Sequence, residues 1–130
     1  MEEFDNSPLV RTDYSNDEAW ASLVRSATAA SPDGFKAALR IVDESAYEGA
    51  EPESLATLDW HGSAVLFVAD AHAQSHADQP ILCIDLMAGG GSFRCIPSEL
   101  WGVENNLRLA NMDFRDFAEN AAADGVFRGF

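Results

Sequence analysis

The sequence predicts one α/β domain: a mixed sheet of roughly five strands, helices packed on it, and a pair of helices at the C-terminus. The chain has 130 residues, of which 47% are hydrophobic, and this fits a single domain over residues 1–130. Short apolar runs alternate with segments of helical periodicity, which is typical of α/β folds. The predicted strands are residues 9–12, 35–42, 64–69, 81–86 and 92–96, and the third is expected to be central because it is apolar at every position.

The first half of the chain carries one long helix signal and one short one. Residues 1–7 are acidic and turn-like, which predicts a frayed terminus. Ser15 and Glu18 have the spacing of a capping box, and the helix that they begin places Trp20 on its apolar face. Pro52 is a favourable first residue for a short helix.

The glycine-rich residues 87–91 join the fourth and fifth predicted strands. A connection this short predicts an antiparallel hairpin, because parallel strands need a long crossover. A register symmetric about the middle of the connection places Cys83 opposite Cys95 and Asp85 opposite Phe93. We expect a buried pair of free thiols, with a cross-strand disulfide as the alternative.

The C-terminal third combines two helix signals with an apolar tail. Ser98 is predicted to cap the first helix, in which Trp101 should be a core anchor. Asn111 is predicted to end that helix and to cap the second. Gly125 is a natural helix stop, and residues 126–130 are apolar enough that we expect the tail, with both of its phenylalanines, to fold back onto the domain.

The charge balance is the strongest deviation from average composition. The chain has 22 acidic and 8 basic residues, a net charge of −14 and a pI near 4.2. Such a surface repels nucleic-acid phosphates and anionic membranes and attracts basic proteins. The alternative explanation is solubility alone. There is no signal segment, and no apolar run approaches the ~20 residues that span a bilayer, so we expect a cytoplasmic protein.

Aspartates follow or end several predicted strands, and these are the first candidates for chemistry. Asp13, Asp43 and Asp70 come directly after strands, and Asp85 lies late in a fourth strand. Because the carboxyl ends of parallel strands meet at one edge, these carboxylates would converge there and favour a hard divalent cation such as Mg²⁺. The alternative is that each is an ordinary turn or capping residue.

A second candidate metal cluster lies just after the central strand. His72 and His76 are four residues apart and would share one helix face, where they could bind Zn²⁺ with a nearby aspartate. The position after His72 is Ala73, so the H-E-x-x-H protease pattern is not met. The alternative is a solvated polar loop.

The sequence lacks a complete catalytic pattern, and we assign no catalytic residues. Gly91-Ser92-Phe93 does not fit the nucleophile-elbow motif, and both cysteines lie within strands, away from features that lower a thiol pKa. A polar patch beside Trp101 remains as a candidate interaction surface, unless its asparagines serve buried backbone groups instead. Its residues are Trp101, Glu104, Asn105, Asn106 and Asn111.

Several stretches of the chain resemble a known family. The most specific are S-E-L-W-G-V-E-N-N-L and the terminal D-G-V-F-R-G-F, with LVRTDYSNDEAW and LFVAD earlier in the chain. Together they resemble a family of small, acidic actinobacterial proteins that is a domain of unknown function. The resemblance implies one full-length domain in a bacterial cytoplasm and brings no catalytic residues with it.

Two functional hypotheses follow. The first is a non-enzymatic interaction protein, immunity-like or regulatory, that binds a basic protein partner without a cofactor and without contacting nucleic acid or membrane. The second is a divalent-metal-dependent enzyme or metal-binding domain that uses the strand-end aspartates or the two histidines.

Overall fold

The computed structural model describes residues 6–87 and 91–130, which form a six-stranded sheet with helices on both faces. The strands are β1 (Ser7–Arg11), β2 (Leu39–Val42), β3 (Val65–Ala69), β4 (Ile81–Asp85), β5 (Ser92–Cys95) and β6 (Val126–Phe127). The α-helices are α1 (Asp17–Thr28), α2 (Pro52–Ala56), α3 (Ala71–Ser75), α4 (Leu100–Arg108) and α5 (Phe114–Ala118). Two 3₁₀ turns, Ser45–Tyr47 and Pro97–Glu99, complete the described secondary structure.

The sheet is mixed, and its strand order is β2-β1-β3-β4-β5-β6. Strand β1 pairs in parallel with β2 and β3, and β5 pairs in parallel with β6. Strand β4 runs antiparallel to both of its neighbours. The carboxyl ends of the other five strands therefore reach one edge of the sheet, and the carboxyl end of β4 reaches the opposite edge.

Each face of the sheet is covered by different parts of the chain. Helices α1, α3, α4 and α5 pack on the first face, where Phe67 of β3 is fully buried. Side chains between Tyr47 and Trp60 cover the second face, where they contact Leu66 and Val68. Because successive strand residues point to opposite faces, β3 supplies apolar side chains to both layers. The prediction of a mixed α/β fold with a buried third strand is confirmed.

The sheet gains a sixth strand from the C-terminal tail. Residues Val126 and Phe127 pair with Arg94 and Cys95 of β5, and both apolar side chains are buried. A two-residue strand has no periodicity that a sequence pattern could reveal. Phe127 is buried against the domain as predicted. Phe130 is 78% exposed, so the prediction that it too would be covered is wrong.

Two strands begin elsewhere than predicted. Strand β1 starts at Ser7, a buried residue that the prediction had placed in the frayed terminus, and residues 1–5 lie outside the described residues. Strand β2 starts at Leu39 rather than at residue 35. Hydrogen bonds between Ser31 and Phe35 close a turn, with Ser31 N donating to Phe35 O and Phe35 N donating to Ser31 Oγ, so the extended segment begins later.

Helix α1 is capped by Asn16 and not by Ser15. The Asn16 side chain accepts a hydrogen bond of 3.0 Å from Ala19 N, which satisfies one of the free N–H groups of the first turn. Ser15 is engaged instead by Asp13, to which it donates from both its backbone nitrogen and its hydroxyl. The predicted capping box is therefore wrong, because an Asx turn at Asp13 competes for Ser15.

The starts of the two C-terminal helices also differ from the prediction. Ser98 lies inside the 3₁₀ turn that precedes α4. The residue that caps α5 is Asp113 rather than Asn111, and its backbone N–H donates to Asp116 over 2.8 Å. Asn111 instead donates its backbone N–H to Asn106 O, which closes the end of α4.

Strands β4 and β5 pair antiparallel as predicted, but with a register shifted by two residues. Cys83 lies opposite Phe93, and Cys95 lies opposite Ile81, so the predicted pairings of the two cysteines with each other and of Asp85 with Phe93 are wrong. A two-residue shift keeps each side chain on its face, and both cysteines stay buried as free thiols in the first-face core. Of the predicted turn, residues 88–90 lie outside the described residues.

Candidate functional site

The carboxyl ends of β1, β2 and β3 meet at one edge of the sheet, and this edge is the candidate site. Asp13, Asp43 and Asp70 lie just beyond these three strands. The chain leaves β1 toward β2 on one side and later returns to β3 on the other, and ligands bind at such reversals in open α/β sheets. A cavity of about 340 Å³ opens between β1 and β3; its lining includes Thr12, Asp13, Glu51, Asp70 and His72.

Arg11 is the charged centre of this edge, although it stands within a strand and its side chain is only 5% exposed. Its guanidinium lies 2.7 Å from Asp17 and 3.5 Å from Asp43. It also lies over the ring of Tyr14, 4.1 Å from the centroid, and near that of Trp20. Burial acts to lower the pKa of Arg11, but the two carboxylates outweigh it and raise that pKa.

The ring of Tyr14 packs against the Arg11 guanidinium and belongs to the same cluster. Burial of its hydroxyl is the largest cause that raises the pKa of Tyr14, to about 12, and the neighbouring Asp43 carboxylate acts in the same direction. The phenol therefore stays protonated at neutral pH. The sequence signal for this cluster is a charged residue at the end of an apolar strand, two positions before an aspartate.

Asp70 forms a bidentate ion pair with Arg94 of β5. Arg94 donates from both terminal nitrogens to the two Asp70 oxygens over 3.0 and 2.7 Å, and Asp70 also accepts from Ala73 N. Burial acts to raise the pKa of Asp70, but these hydrogen bonds outweigh it and leave that pKa below its ordinary value. The carboxylate is therefore ionised, and both of its oxygens already accept hydrogen bonds from Arg94.

The four predicted metal-binding aspartates do not come together. Asp13, Asp43 and Asp70 share one edge, whereas Asp85 ends the antiparallel strand β4 and lies at the opposite edge. Asp43 and Asp70 are engaged by arginines. Over residues 6–87 and 91–130, no three His, Cys, Asp or Glu side chains are grouped so that they could hold a metal ion.

The two histidines lie at the ends of the short helix α3. His72 and His76 have ring centroids 5.5 Å apart, and both residues are exposed. His76 accepts a hydrogen bond at Nδ1 from the backbone of Asp78. Helix α3 ends at Ser75, and the His76 imidazole just beyond it serves the loop that follows.

Glu104, predicted to belong to an interaction patch, is fully buried. Oε2 accepts hydrogen bonds from the Ser7 hydroxyl and from Arg108, each over 2.8 Å. Oε1 accepts from Ala38 N and from the Asn105 amide, also over 2.8 Å each. The spacing of Glu104 from Leu100 and Leu107 places it on the apolar stripe of α4, and this was the sequence signal for its burial.

The rest of that patch is only partly on the surface. Trp101 is half-buried rather than a core anchor, and its ring stacks on the exposed ring of Phe35 at 5.3 Å. The Asn105 amide also donates to Lys36 O, and the Asn106 amide donates to Gly102 O. These two asparagines serve backbone groups, whereas the side chain of Asn111 is exposed.

The sequence predicted the overall negative charge but not an acidic layer on the second face of the sheet. Residues 41–93 contain neither Lys nor Arg. Within them, six exposed carboxylates lie in and beside the segment that covers this face. These are Asp43, Glu44, Glu48, Glu51, Glu53 and Asp59, called the acidic layer below. Of the six, Asp43 alone takes part in the ion pairs formed among the described residues.

Among the described residues no helix is long and apolar enough to cross a bilayer.

Comparison with known proteins identifies the family of this chain. The curated proteins contain no match to this chain. The family described as Domain of unknown function (DUF6924) matches residues 6–130, and the chain belongs to this family.

Proposed function

We propose that this protein is a non-enzymatic interaction module, immunity-like or regulatory, that binds a basic protein through the acidic layer. The observation that carries the proposal is the one-sided distribution of charge: residues 41–93 hold no Lys or Arg, and the six exposed carboxylates of the acidic layer lie within them. The proposed setting is the cytoplasm of an actinobacterium, and neither nucleic acid nor membrane is a proposed partner, because both are anionic.

The physical case rests on long-range attraction. A surface of one sign steers an oppositely charged protein into encounter, so association is fast and weakens as salt is added. Solubility alone would be served by carboxylates spread evenly over the molecule. Concentration of these charges on one layer instead gives a partner a defined direction of approach.

The metal-dependent alternative receives less support from the geometry of the candidate site. A cation would have to compete with Arg11 for Asp43 and with Arg94 for Asp70, and both arginines remain charged at neutral pH. We therefore place the aspartates of this edge in a structural role.

Two variants of equal net charge test the proposal. The layer variant changes Glu44, Glu51 and Glu53 to Gln. The control variant changes three exposed acids elsewhere, with Glu18→Gln, Asp33→Asn and Glu119→Gln. The wild-type chain is used to capture basic proteins from the native host, and the dissociation constant of each purified candidate is then measured for all three chains.

The layer variant should bind about tenfold more weakly than the wild type, since three charges at roughly 0.5 kcal/mol each amount to one decade. The dissociation constant of the control variant should stay near that of the wild type. The difference between each variant and the wild type should shrink at high salt. Equal losses in the two variants would reduce the effect to net charge, and a partner that is insensitive to salt would contradict the proposal.

A further inference from the structure

We propose that the basic partner docks an extended segment along the free edge of β2 and adds a seventh strand to the sheet. This inference rests on the proposed function and specifies how the partner binds. Strand β2 ends the sheet on one side, with β1 as its neighbour on the other. An edge strand of this kind is a template for β-strand addition, in which main-chain hydrogen bonds supply the affinity.

The direction of the backbone groups in β2 follows from its pairing. Ser7 N donates to Ala38 O, and Ser7 lies opposite Leu39 in a parallel register. In a parallel ladder alternate residues face the same neighbour, so Ala38, Arg40 and Val42 direct their backbone groups toward β1. Leu39 and Ile41 therefore direct two N–H and two C=O groups outward, and no hydrogen bond to them is made among the described residues.

Strand β2 carries little of the usual protection of an edge. Its four residues include no Pro, and its one charged side chain, Arg40, directs a guanidinium nitrogen to Asn6 over 2.7 Å. The side chain of Ile41 is 40% exposed, which is unusual for a large aliphatic residue of a strand. An added strand would cover this side chain and satisfy the outward backbone groups together.

The charge next to this edge favours a basic partner segment as the added strand. Just beyond β2, Glu44 is exposed and forms no ion pair among the described residues, so an added strand that carries Lys or Arg would meet opposite charge at this end. A second copy of this chain brings a further −14 of net charge to the same edge. A basic extended segment therefore fits the edge better than self-association does.

The probe for this edge is a short, capped peptide of alternating Val and Lys. Its control is the same peptide N-methylated on two adjacent central residues, which keeps the charge but blocks main-chain donors on both of its edges. Binding to the wild-type chain is measured by titration calorimetry, and amide exchange of Leu39 and Ile41 is followed by NMR.

The unmodified peptide should bind about tenfold more tightly than the methylated one, the equivalent of one to two net hydrogen bonds. It should also slow exchange at Leu39 and Ile41. In the protein, Ile41→Pro should abolish the difference between the peptides, because it blocks the edge without removing a bond to β1. Ile41→Thr, which keeps the N–H, should preserve that difference.

Equal binding of the two peptides to the wild-type chain would overturn the inference, and this result does not depend on whether Ile41→Pro folds. If the layer variant then weakened both peptides alike, charge-driven binding would stand without the edge. A wild-type dimer that Ile41→Pro converts to a monomer would assign the edge to a second copy and also overturn the inference.

Discussion

Oε1 of Glu104 accepts a hydrogen bond of 2.8 Å from the backbone nitrogen of Ala38, so helix α4 holds the residue that leads into the edge strand β2. Oε2 of the same carboxylate holds Ser7 at the start of β1 and Arg108 one turn further along α4. One buried charge thus joins two neighbouring strands to the helix that covers them. Its removal leaves several groups without partners, since buried polar groups depend on such bonds.

Glu104→Leu should lower the free energy of unfolding by roughly 2–4 kcal/mol, between the cost of a buried unpaired donor and that of a broken buried ion pair. The measurement is denaturant unfolding, with the exposed Glu119→Gln as a control that stays within about 0.5 kcal/mol of the wild type. A Glu104→Leu chain as stable as the wild type would refute the role of this carboxylate.

Asp70→Asn should destabilise the protein at neutral pH by about 1–2 kcal/mol, because Asn keeps the helix cap at Ala73 but gives Arg94 no charged partner. The folded pKa of Asp70 lies below its unfolded value of about 3.9. The stabilisation is therefore present above that pH and is lost as the pH falls through the folded pKa. Unfolding curves of both chains over a pH series should converge in acid, and a constant difference would contradict the ion pair.

Tyr14 should titrate near pH 12 in the folded chain, against about 10 for an exposed tyrosine. Because the folded pKa is the higher one, its contribution to stability is complete below pH ~10 and is lost as the pH rises toward the folded value. Asp43→Asn should lower the pKa of Tyr14 in part, since burial remains. Ultraviolet titration of tyrosinate measures this pKa, and Tyr14→Phe identifies which transition belongs to Tyr14. An unchanged pKa in the Asp43→Asn chain would show that Asp43 does not act on Tyr14.

Trp101→Ala should cost clearly less than truncation of a buried aromatic residue. Trp101 is half-buried against Phe35, which is itself 51% exposed, whereas Phe117 is fully buried in the first-face core. We expect about 1–2 kcal/mol for Trp101→Ala and about 3–5 kcal/mol for Phe117→Ala. Thermal unfolding of the two variants ranks them directly, and an equal loss in both would restore Trp101 as a core anchor.

The two phenylalanines of the tail should behave differently. Phe127 is buried in β6 and its carbonyl accepts a hydrogen bond from Ile96 N, while Phe130 is largely exposed. Deletion of residues 126–130 should expose the aromatic cluster beneath the tail, destabilise the fold and promote association. Phe130→Ala should change stability by less than about 1 kcal/mol. Light scattering and unfolding measure both, and an unshifted melting point after the deletion would refute a packed tail.

The apolar pattern of the chain was sufficient to predict the fold class, the buried third strand and the antiparallel pairing of residues 81–86 with 92–96. These features depend on periodicity and on the length of a connection, which are local properties of a sequence. Helix starts were less predictable, because neighbouring polar residues compete for the same free N–H groups. Ser15 and Asn16 both suit an N-cap, and the Asx turn at Asp13 decides between them.

The sequence by itself determined an acidic α/β chain with charged residues at the ends of its strands. Tertiary structure alone decided which of these charges meet. The direction of β4 separates Asp85 from the other three aspartates, and the pairing of β1 with β2 and β3 brings Arg11 to Asp43. Long-range pairing places Arg94 beside Asp70 and Glu104 beside Ala38, across 24 and 66 residues of chain. No local pattern encodes such contacts, because each depends on strand order and direction, which the packing of the whole core selects.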